Sequence, residues 1–350
     1  MTQMDELLEQ ESPYSLLEAQ KNQIIKLELD ALDQFHKSNC LIYRRILNAR
    51  GDGRHYLPVR LFKLLDLKSV SRENVYKVLT SSGTTSQVVS KISLDSETAK
   101  LQTKVLVHIM QSFIGRKRLP MLIIDHPNVI KDRTNFSARG AGILGLSNFG
   151  RSHTYALNDD MTLNLDAVNE FYDAFGDQEV LLFGFTFMVW EYYISELKKN
   201  NIKLPKNNSI LIHSGGWKKL QDRAVDNHTF KKECHSWAGI NRVHNFYGMV
   251  EQVGSIFVEC EKGFLHAPNF ADIRAVDIAT MCDKPFGEEG VICVESIIPK
   301  SYPGHRLLTE DQGTIYGVDN CQCGRKGKYF LISGRLKKAE VRGCSDTHSQ

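Results

Sequence analysis

The chain opens with apolar residues at helical spacing. After Pro13, the run Ser15-Leu16-Leu17-Glu18 has the form of a capping box, a hydroxyl answered three residues later by a carboxylate. Beyond it, through Leu32 and Phe35, apolar positions recur between Gln, Lys and Glu, which predicts an N-terminal helix. A loop follows around Gly51-Asp52-Gly53. From Tyr76 to about Tyr247, short apolar runs alternate with amphipathic stretches. Met121–Asp125, Val180–Phe183 and Ile210–His213 predict strands, while Ser96–Phe113, Leu165–Phe175, Val189–Lys199 and Lys218–Lys232 predict helices. That alternation predicts an α/β region with a largely parallel sheet.

The texture changes after Glu251. Ser255–Glu259, Val291–Glu295, Thr314–Val318 and Tyr329–Ile332 are short β-like runs between glycine-bearing turns, the pattern of a smaller, mostly antiparallel subdomain. The expected organisation is an N-terminal helical region over 1–75, an α/β core over 76–253, and a β-rich subdomain with its tail over 254–350. With 350 residues, 42% of them hydrophobic, the chain has ample material for a core, and the three regions are expected to pack as one body.

Charge narrows the partners. A net +3 supplies no basic field for nucleic acid or an anionic membrane. The opening Met1-Thr2-Gln3-Met4-Asp5-Glu6 is acidic and polar, unlike a secretory leader. The most apolar stretch, Val180 to Trp190, is too short to span a bilayer, so a soluble cytoplasmic protein is expected. Eight cysteines in a chain of this length do not make a disulfide scaffold. Cys40, Cys234, Cys282 and Cys293 read as packing residues from their mixed or apolar contexts.

Candidate chemistry begins at Thr80-Ser81-Ser82-Gly83-Thr84-Thr85-Ser86, where six of seven residues carry a hydroxyl and the seventh is glycine. Such a turn leaving a strand can wrap phosphate oxygens with O–H and N–H donors, and Gly83 permits close approach. It lacks the spacing of a P-loop, and an ordinary polar turn would look the same. Ile210 to His213 runs into Ser214-Gly215-Gly216-Trp217, a turn that lets a flat ring lie against the backbone. In Asn245-Phe246-Tyr247-Gly248-Met249-Val250-Glu251, Tyr247 offers a stacking face and Glu251 an oxygen for Mg²⁺; a core tyrosine and a solvated glutamate are the plain alternatives. Asp311, just before a glycine turn at Gly313, could accept two ribose hydroxyls, with Arg306 serving a phosphate or an ion pair. Ser333-Gly334-Arg335 adds another guanidinium fork.

Taken in order, these pieces resemble the adenylate-forming superfamily of acyl-CoA synthetases and adenylation domains. Pro13-Tyr14-Ser15-Leu16, Ser137-Ala138-Arg139-Gly140, Phe183-Gly184-Phe185-Thr186, His213-Ser214-Gly215-Gly216-Trp217-Lys218 and Arg342-Gly343-Cys344-Ser345-Asp346 narrow this further. They resemble the acyl-protein synthetase family, the LuxE-type component of a bacterial fatty-acid reductase. Phenylacetate–CoA ligases are a more distant likeness. The resemblance implies an adenylate-forming N-terminal-domain fold and an ATP- and Mg²⁺-dependent activation of a carboxylic acid. Ser81, Ser82, Thr84 and Thr85 would hold the β- and γ-phosphates, Glu251 would place Mg²⁺, and Asp311 with Arg335 would fix the ribose. Gly215 and Gly216 match the adenine-side glycines, and Tyr247 with Gly248 the Tyr-Gly-x-x-Glu motif.

Three departures qualify the match. Val250 stands where the superfamily has a hydroxyl residue, and Val89 where it has a lysine, with Lys91 two positions away. The sequence also ends soon after Gly334-Arg335, so the mobile C-terminal lid is expected to be lacking. Transfer to a protein thiol, on a reductase-like partner, is then favoured over CoA. Cys344, beside Arg342, is the candidate acceptor, because a guanidinium favours the attacking thiolate; a thiol with no role is the alternative. A CoA ligase of the phenylacetate type, or a non-catalytic assembly subunit supported by Val250, fit the same motifs.

Cys260, His266, Cys321 and Cys323 form two short pairs within the β-rich region. Three thiolates and an imidazole suffice for a tetrahedral structural zinc; the C-x-C spacing is tighter than usual, and unrelated buried thiols fit equally. His213, His244, Phe183, Phe185, Phe187 and Trp190 lie on apolar runs and are expected in the core, with His153 exposed. Acyl chain length and the number of assembled copies have no signature in the sequence.

Overall fold

The first apolar stripe does form a helix, Glu18–Asn39, burying Lys21, Ile25, Leu29, Leu32 and His36 at three- and four-residue steps. Its start is held differently from the expected capping box. Leu17 is the N-cap and offers no side-chain bond, while the Ser15 hydroxyl accepts from Asn269 Nδ2. The Asp319 carboxylate caps the helix instead, accepting from the Glu18 N–H at 2.9 and 3.2 Å. A carboxylate answers an orphan N–H as well as a local hydroxyl does, and its charge suits the helix N-terminus.

The computed structural model describes residues 3–51, 55–81, 89–130, 138–217 and 223–336. Its strands in chain order are β1 (Leu57–Pro58), β2 (Lys77–Thr80), β3 (Lys91–Leu94), β4 (Leu119–Ile123), β5 (Gly150–Tyr155), β6 (Val180–Phe185), β7 (Ser209–Ser214), β8 (Arg242–Tyr247), β9 (Phe257–Glu259), β10 (Leu265–His266), β11 (Ala271–Val276), β12 (Glu289–Ser296), β13 (Arg306–Val318) and β14 (Lys328–Arg335). The chain divides into two compact units. Relative to the boundaries expected at residues 75 and 253, one unit gathers the described parts of 1–81, 86–113 and 247–340. The other takes those of 114–246.

In the second unit the parallel order is β8-β7-β6-β4-β5. β4 and β6 are buried along their whole length, which is why they read as unbroken apolar runs. Helices Leu165–Phe175 and Asn227–Ala238 contribute Val168, Phe171, Phe230 and Cys234 to the core on this sheet. The helix predicted over Lys218–Lys232 starts later, because Asp226 caps it by accepting from the Thr229 N–H. Residues 218–222 lie outside the described residues. The predicted Val189–Lys199 helix begins at Thr186 and carries a π turn over Val189–Ile194.

In the first unit the order is β11-β12-β13-β14-β10-β9, antiparallel, with β1 added parallel to β13. The glycine turn expected after Asp311 is instead a register shift inside the long strand β13, between Gln312 and Gly313. Glycine is needed there, since a Cβ would meet the Leu331 carbonyl oxygen at 2.4 Å. Phe257, Ile273, Val294, Leu307 and Phe330 form the core beneath these strands. Among the described residues, no helix is long and apolar enough to cross a membrane. Cys40, Cys234 and Cys293 are buried as expected, whereas Cys282 is exposed.

Candidate active site

Antiparallel pairing of β13 with β14 makes Asp311 and Arg335 Cα partners across the ladder. Side chains so opposed can meet, and Arg335 Nε lies 3.3 Å from Asp311 Oδ1. Tyr247, the last residue of β8, donates its hydroxyl to Asp311 Oδ2 at 2.7 Å. Its ring is held near Phe257 and Phe330, at 6.1 and 6.5 Å between centroids. Burial, and then the Asp311 charge, push the Tyr247 phenol well above its ordinary value, so it remains a proton donor. Gly248 follows, with a Cβ-sized space closed by Ile256 at 3.0 Å.

Glu251 lies on the short turn Val250–Gln252 and is only 6% exposed. Burial pushes its carboxyl up, opposed by the Ser90 hydroxyl and the Arg335 guanidinium. Ser90 stands at the mouth of the β2–β3 hairpin. There the Ser81 N–H donates to the Ser90 carbonyl at 3.1 Å, and the Ser90 N–H donates to Ser81 Oγ at 2.9 Å. Ser81 and Ser90 therefore pair at the mouth of the hairpin, with the Ser81 hydroxyl as an acceptor. Ser82, Gly83, Thr84 and Thr85 lie outside the described residues, as does Cys344. Within the first unit the folded chain thus brings together Tyr247, Glu251, Asp311, Arg335 and the base of the hairpin.

In the second unit, Gly215 and Gly216 leave the carboxyl end of β7. Gly215 has φ +87°, and Gly216 has open space where a Cβ would stand. Just before them, His213 is buried, and burial holds its ring at about 3, hence neutral. Its Nδ1 pairs with Thr186 Oγ1 at 2.9 Å, and its ring lies 4.6 Å from that of Phe230. It is a core histidine, as expected, and His244 is likewise buried.

In a second constellation of this unit, Arg139 was legible in the sequence only within a family motif, and its partners were missed. Beyond β4, Arg139 Nε lies 3.0 Å from Asp125 Oδ2, and Arg139 Nη2 donates to His126 Nε2 at 3.2 Å. Asp125 and Arg139 are 1% and 3% exposed. Burial pushes the Asp125 carboxyl up to about 6, against the pull of Arg139. A buried ion pair is costly to desolvate, and this one occupies the carboxyl edge of a parallel sheet, where α/β folds place ligands. The sequence signals were an acid and a histidine immediately after an apolar strand, and Arg139 within the Ser137–Gly140 stretch of the family likeness.

Cys260, His266, Cys321 and Cys323 converge in the first unit, their ligand atoms all within 4.8 Å of one another. An open cleft of about 400 Å³ elsewhere in that unit is lined by Asp30, His55, Tyr56, Arg274, Glu295 and Arg306. Its guanidiniums already have carboxylate partners, Asp30 for Arg306 and Asp283 for Arg274.

These units have the fold of adenylate-forming ligases. A 2-hydroxyisobutyryl-CoA ligase, solved in an open conformation with 2-HIB-AMP and CoA, superposes with a TM-score of 0.70 at 15% identity, covering 93% of this chain and 77% of that one. Its postadenylation state with R3-HIB-AMP gives 0.67 at 16% identity, covering 96% and 73%. The family model for acyl-protein synthetase, LuxE matches residues 1–350, and the chain belongs to that family. A long-chain-fatty-acid–luciferin-component ligase from Vibrio harveyi is 27% identical over 143 residues, 40% of this chain and 36% of the relative. One from Aliivibrio fischeri is 25% identical over 165 residues, 46% and 42%. The matched stretches span less than half the length of either relative.

Proposed function

We propose that this protein uses ATP to activate a carboxylic acid, foremost a fatty acid, as an acyl-adenylate, and passes the acyl group to a cysteine thiol. The observation that supports this most is the Tyr247–Asp311–Arg335 constellation beside Glu251, in a chain matched along its whole length by the acyl-protein synthetase family. A carboxylate oxygen attacks the α-phosphorus and the bond to pyrophosphate breaks. A thiolate sulfur then attacks the acyl carbon and AMP leaves. The protein's task is charge neutralisation and in-line positioning.

Asp311 and Arg335 hold the ribose, and Tyr247 offers its ring to the adenine; Gly215 and Gly216 are the glycines that the family likeness assigns to the adenine side. The hydroxyls and N–H groups over Ser81–Thr85 take the β- and γ-phosphates. Glu251 positions Mg²⁺ through an oxygen or a bound water. Cys344 receives the acyl group, and a reductase-like protein takes it onward; both curated relatives are named as ligases that join a long-chain fatty acid to a luciferin component. The setting is the cytoplasm. Zinc has no step to serve in this reaction, since adenylation already supplies the electrophile.

Carboxylate-dependent exchange of labelled pyrophosphate into ATP, across a panel of chain lengths, tests the first step. Exchange with at least one carboxylate is expected, and its absence across the panel overturns the reading. Labelled acyl group should remain on the denatured wild-type chain and be lost in Cys344→Ser; full labelling of that variant excludes Cys344 as acceptor. Product formed with CoA as efficiently as with a protein thiol would turn the reading to a CoA ligase.

A further inference from the structure

The four residues at Cys260, His266, Cys321 and Cys323 are brought together by two hairpins. Cys260 directly follows β9 and turns tightly, its N–H donating to the Phe264 carbonyl at 2.8 Å and its carbonyl accepting from the Gly263 N–H at 2.9 Å. His266 then closes β10. Cys321 and Cys323 lie in the turn joining β13 to β14, where the Gly324 N–H donates to the Cys321 carbonyl at 3.0 Å and Gly324 has φ +87°. β10 pairs with β14, with His266 opposite Tyr329, so the two turns are neighbours although sixty residues separate them in sequence.

The geometry points to a structural Zn²⁺ bound by Cys260 Sγ, His266 Nε2, Cys321 Sγ and Cys323 Sγ. Zn–S bonds of about 2.3 Å and Zn–N bonds of about 2.0–2.1 Å in a tetrahedron put ligand atoms roughly 3.5–3.8 Å apart. Here the Cys260 and Cys321 sulfurs are 4.0 Å apart, and Cys323 Sγ is 3.4 Å from His266 Nε2. The sulfur–sulfur distance is about twice that of a disulfide bond. Cys260 and His266 are fully buried and Cys321 is 8% exposed. All four positions are protein ligands, which leaves no open site for chemistry and marks a structural ion. An S₃N set favours zinc over the oxygen-seeking cations.

The surroundings suit the charge of such a site. Three thiolates and Zn²⁺ carry a net −1. The Lys262 N–H donates to Cys260 Sγ at 3.4 Å, and the Arg325 guanidinium bonds Cys323. Arg325 is itself held over the Phe113 ring at 4.3 Å and paired with Glu261 at 2.6 and 3.2 Å.

The ion would fasten more than the two hairpins. The Cys321–Lys326 turn also carries the Lys326 N–H bonded to the Tyr14 carbonyl at 2.9 Å. Tyr14 in turn sets its ring edge-on to His266 at 6.0 Å. Asp319, which caps the Glu18–Asn39 helix, stands two residues before Cys321. Zinc thereby ties the N-terminal helix and its lead-in to the β-rich sheet.

The test is metal content of the full chain, purified without chelator or metal-affinity resin. About one zinc per chain is expected, together with the visible absorption of tetrahedral thiolate-bound cobalt after Co²⁺ exchange. Cys321→Ser and Cys323→Ser should each lower bound zinc at least about tenfold, while Cys282→Ser, at an exposed thiol, should not change it. If the ligand variants do not fold, the wild type serves: stripping the metal should lower Tm, and Zn²⁺ but not Mg²⁺ should restore it. A folded chain with zinc far below one equivalent and an unchanged Tm after chelation overturns the site. So does a native Cys260–Cys321 disulfide found by mass spectrometry.

Discussion

The Tyr247 hydroxyl donates to Asp311 Oδ2 at 2.7 Å, across 64 positions of sequence. A phenol and the Arg335 guanidinium together hold the carboxylate that is proposed to receive a ribose. The acid is thereby oriented by two side chains of the protein.

Asp311→Ala should therefore cost more than Tyr247→Phe. Losing a charged acceptor for two hydroxyls should lower kcat/KM for ATP in pyrophosphate exchange by roughly 10- to 100-fold. Tyr247→Phe keeps the ring and loses one orienting bond, so a change of about tenfold or less is expected. Equal losses in both variants would place the Tyr247 hydroxyl on the nucleotide itself.

Glu251 is nearly buried, and burial raises its carboxyl pKa. If its charge positions Mg²⁺, exchange activity should fall on the acid side at a pH above the ordinary glutamate range. Glu251→Gln should remove that limb and raise the Mg²⁺ concentration giving half-maximal activity. Titrating Mg²⁺ at several pH values checks both outcomes.

Asp319 accepts from Glu18 N–H and, at 2.8 Å, from Gly327 N–H. Asp319→Ala should destabilise the fold by about 1–2 kcal/mol, the usual cost of a lost cap. The KM for ATP should stay unchanged. Urea unfolding beside exchange kinetics separates the two effects.

His36 is fully buried, with Ser69 Oγ at 2.7 Å from Nδ1 and the Pro299 carbonyl at 3.1 Å from Nε2. Burial holds it at about 3, below the ordinary histidine value of 6.5. The unfolded chain takes up the proton first, so the neutral ring's stabilisation is full above pH 6.5 and lost as pH falls toward 3. Between pH 6.5 and 5 the loss should be on the order of 2 kcal/mol. His36→Gln should unfold with that much less pH dependence over the same interval.

Much of this was legible in the sequence because it is local. Val180–Phe185 and Ile210–Ile212 are unbroken apolar runs that must be buried on both faces, so their strands and parallel pairing follow from composition. The order of Thr80–Ser86, Gly215-Gly216, Tyr247 to Glu251, Asp311 and Arg335 carried the family likeness, and the family model matches the whole chain. Elsewhere the local signal pointed the wrong way. Ser15 looked like a cap, but Asp319 is a charged acceptor brought within 2.9 Å by folding. Gly313 looked like a turn, but a glycine at a bulge under the Leu331 carbonyl has the same local appearance.

What the sequence by itself determined, then, was the element types, their α/β-then-β order, and the residues proposed for nucleotide and metal. Periodicity and residue chemistry are properties of short stretches. Tertiary structure alone decided which of those residues meet. Asp311 reaches Arg335 because antiparallel register places them opposite, and Tyr247 reaches Asp311 because β8 ends there. Arg139 finds Asp125 beyond a parallel strand, and Cys260 finds Cys321 through neighbouring hairpins. Each is a long-range distance of a few ångströms, set by sheet register, which no local pattern of residues encodes.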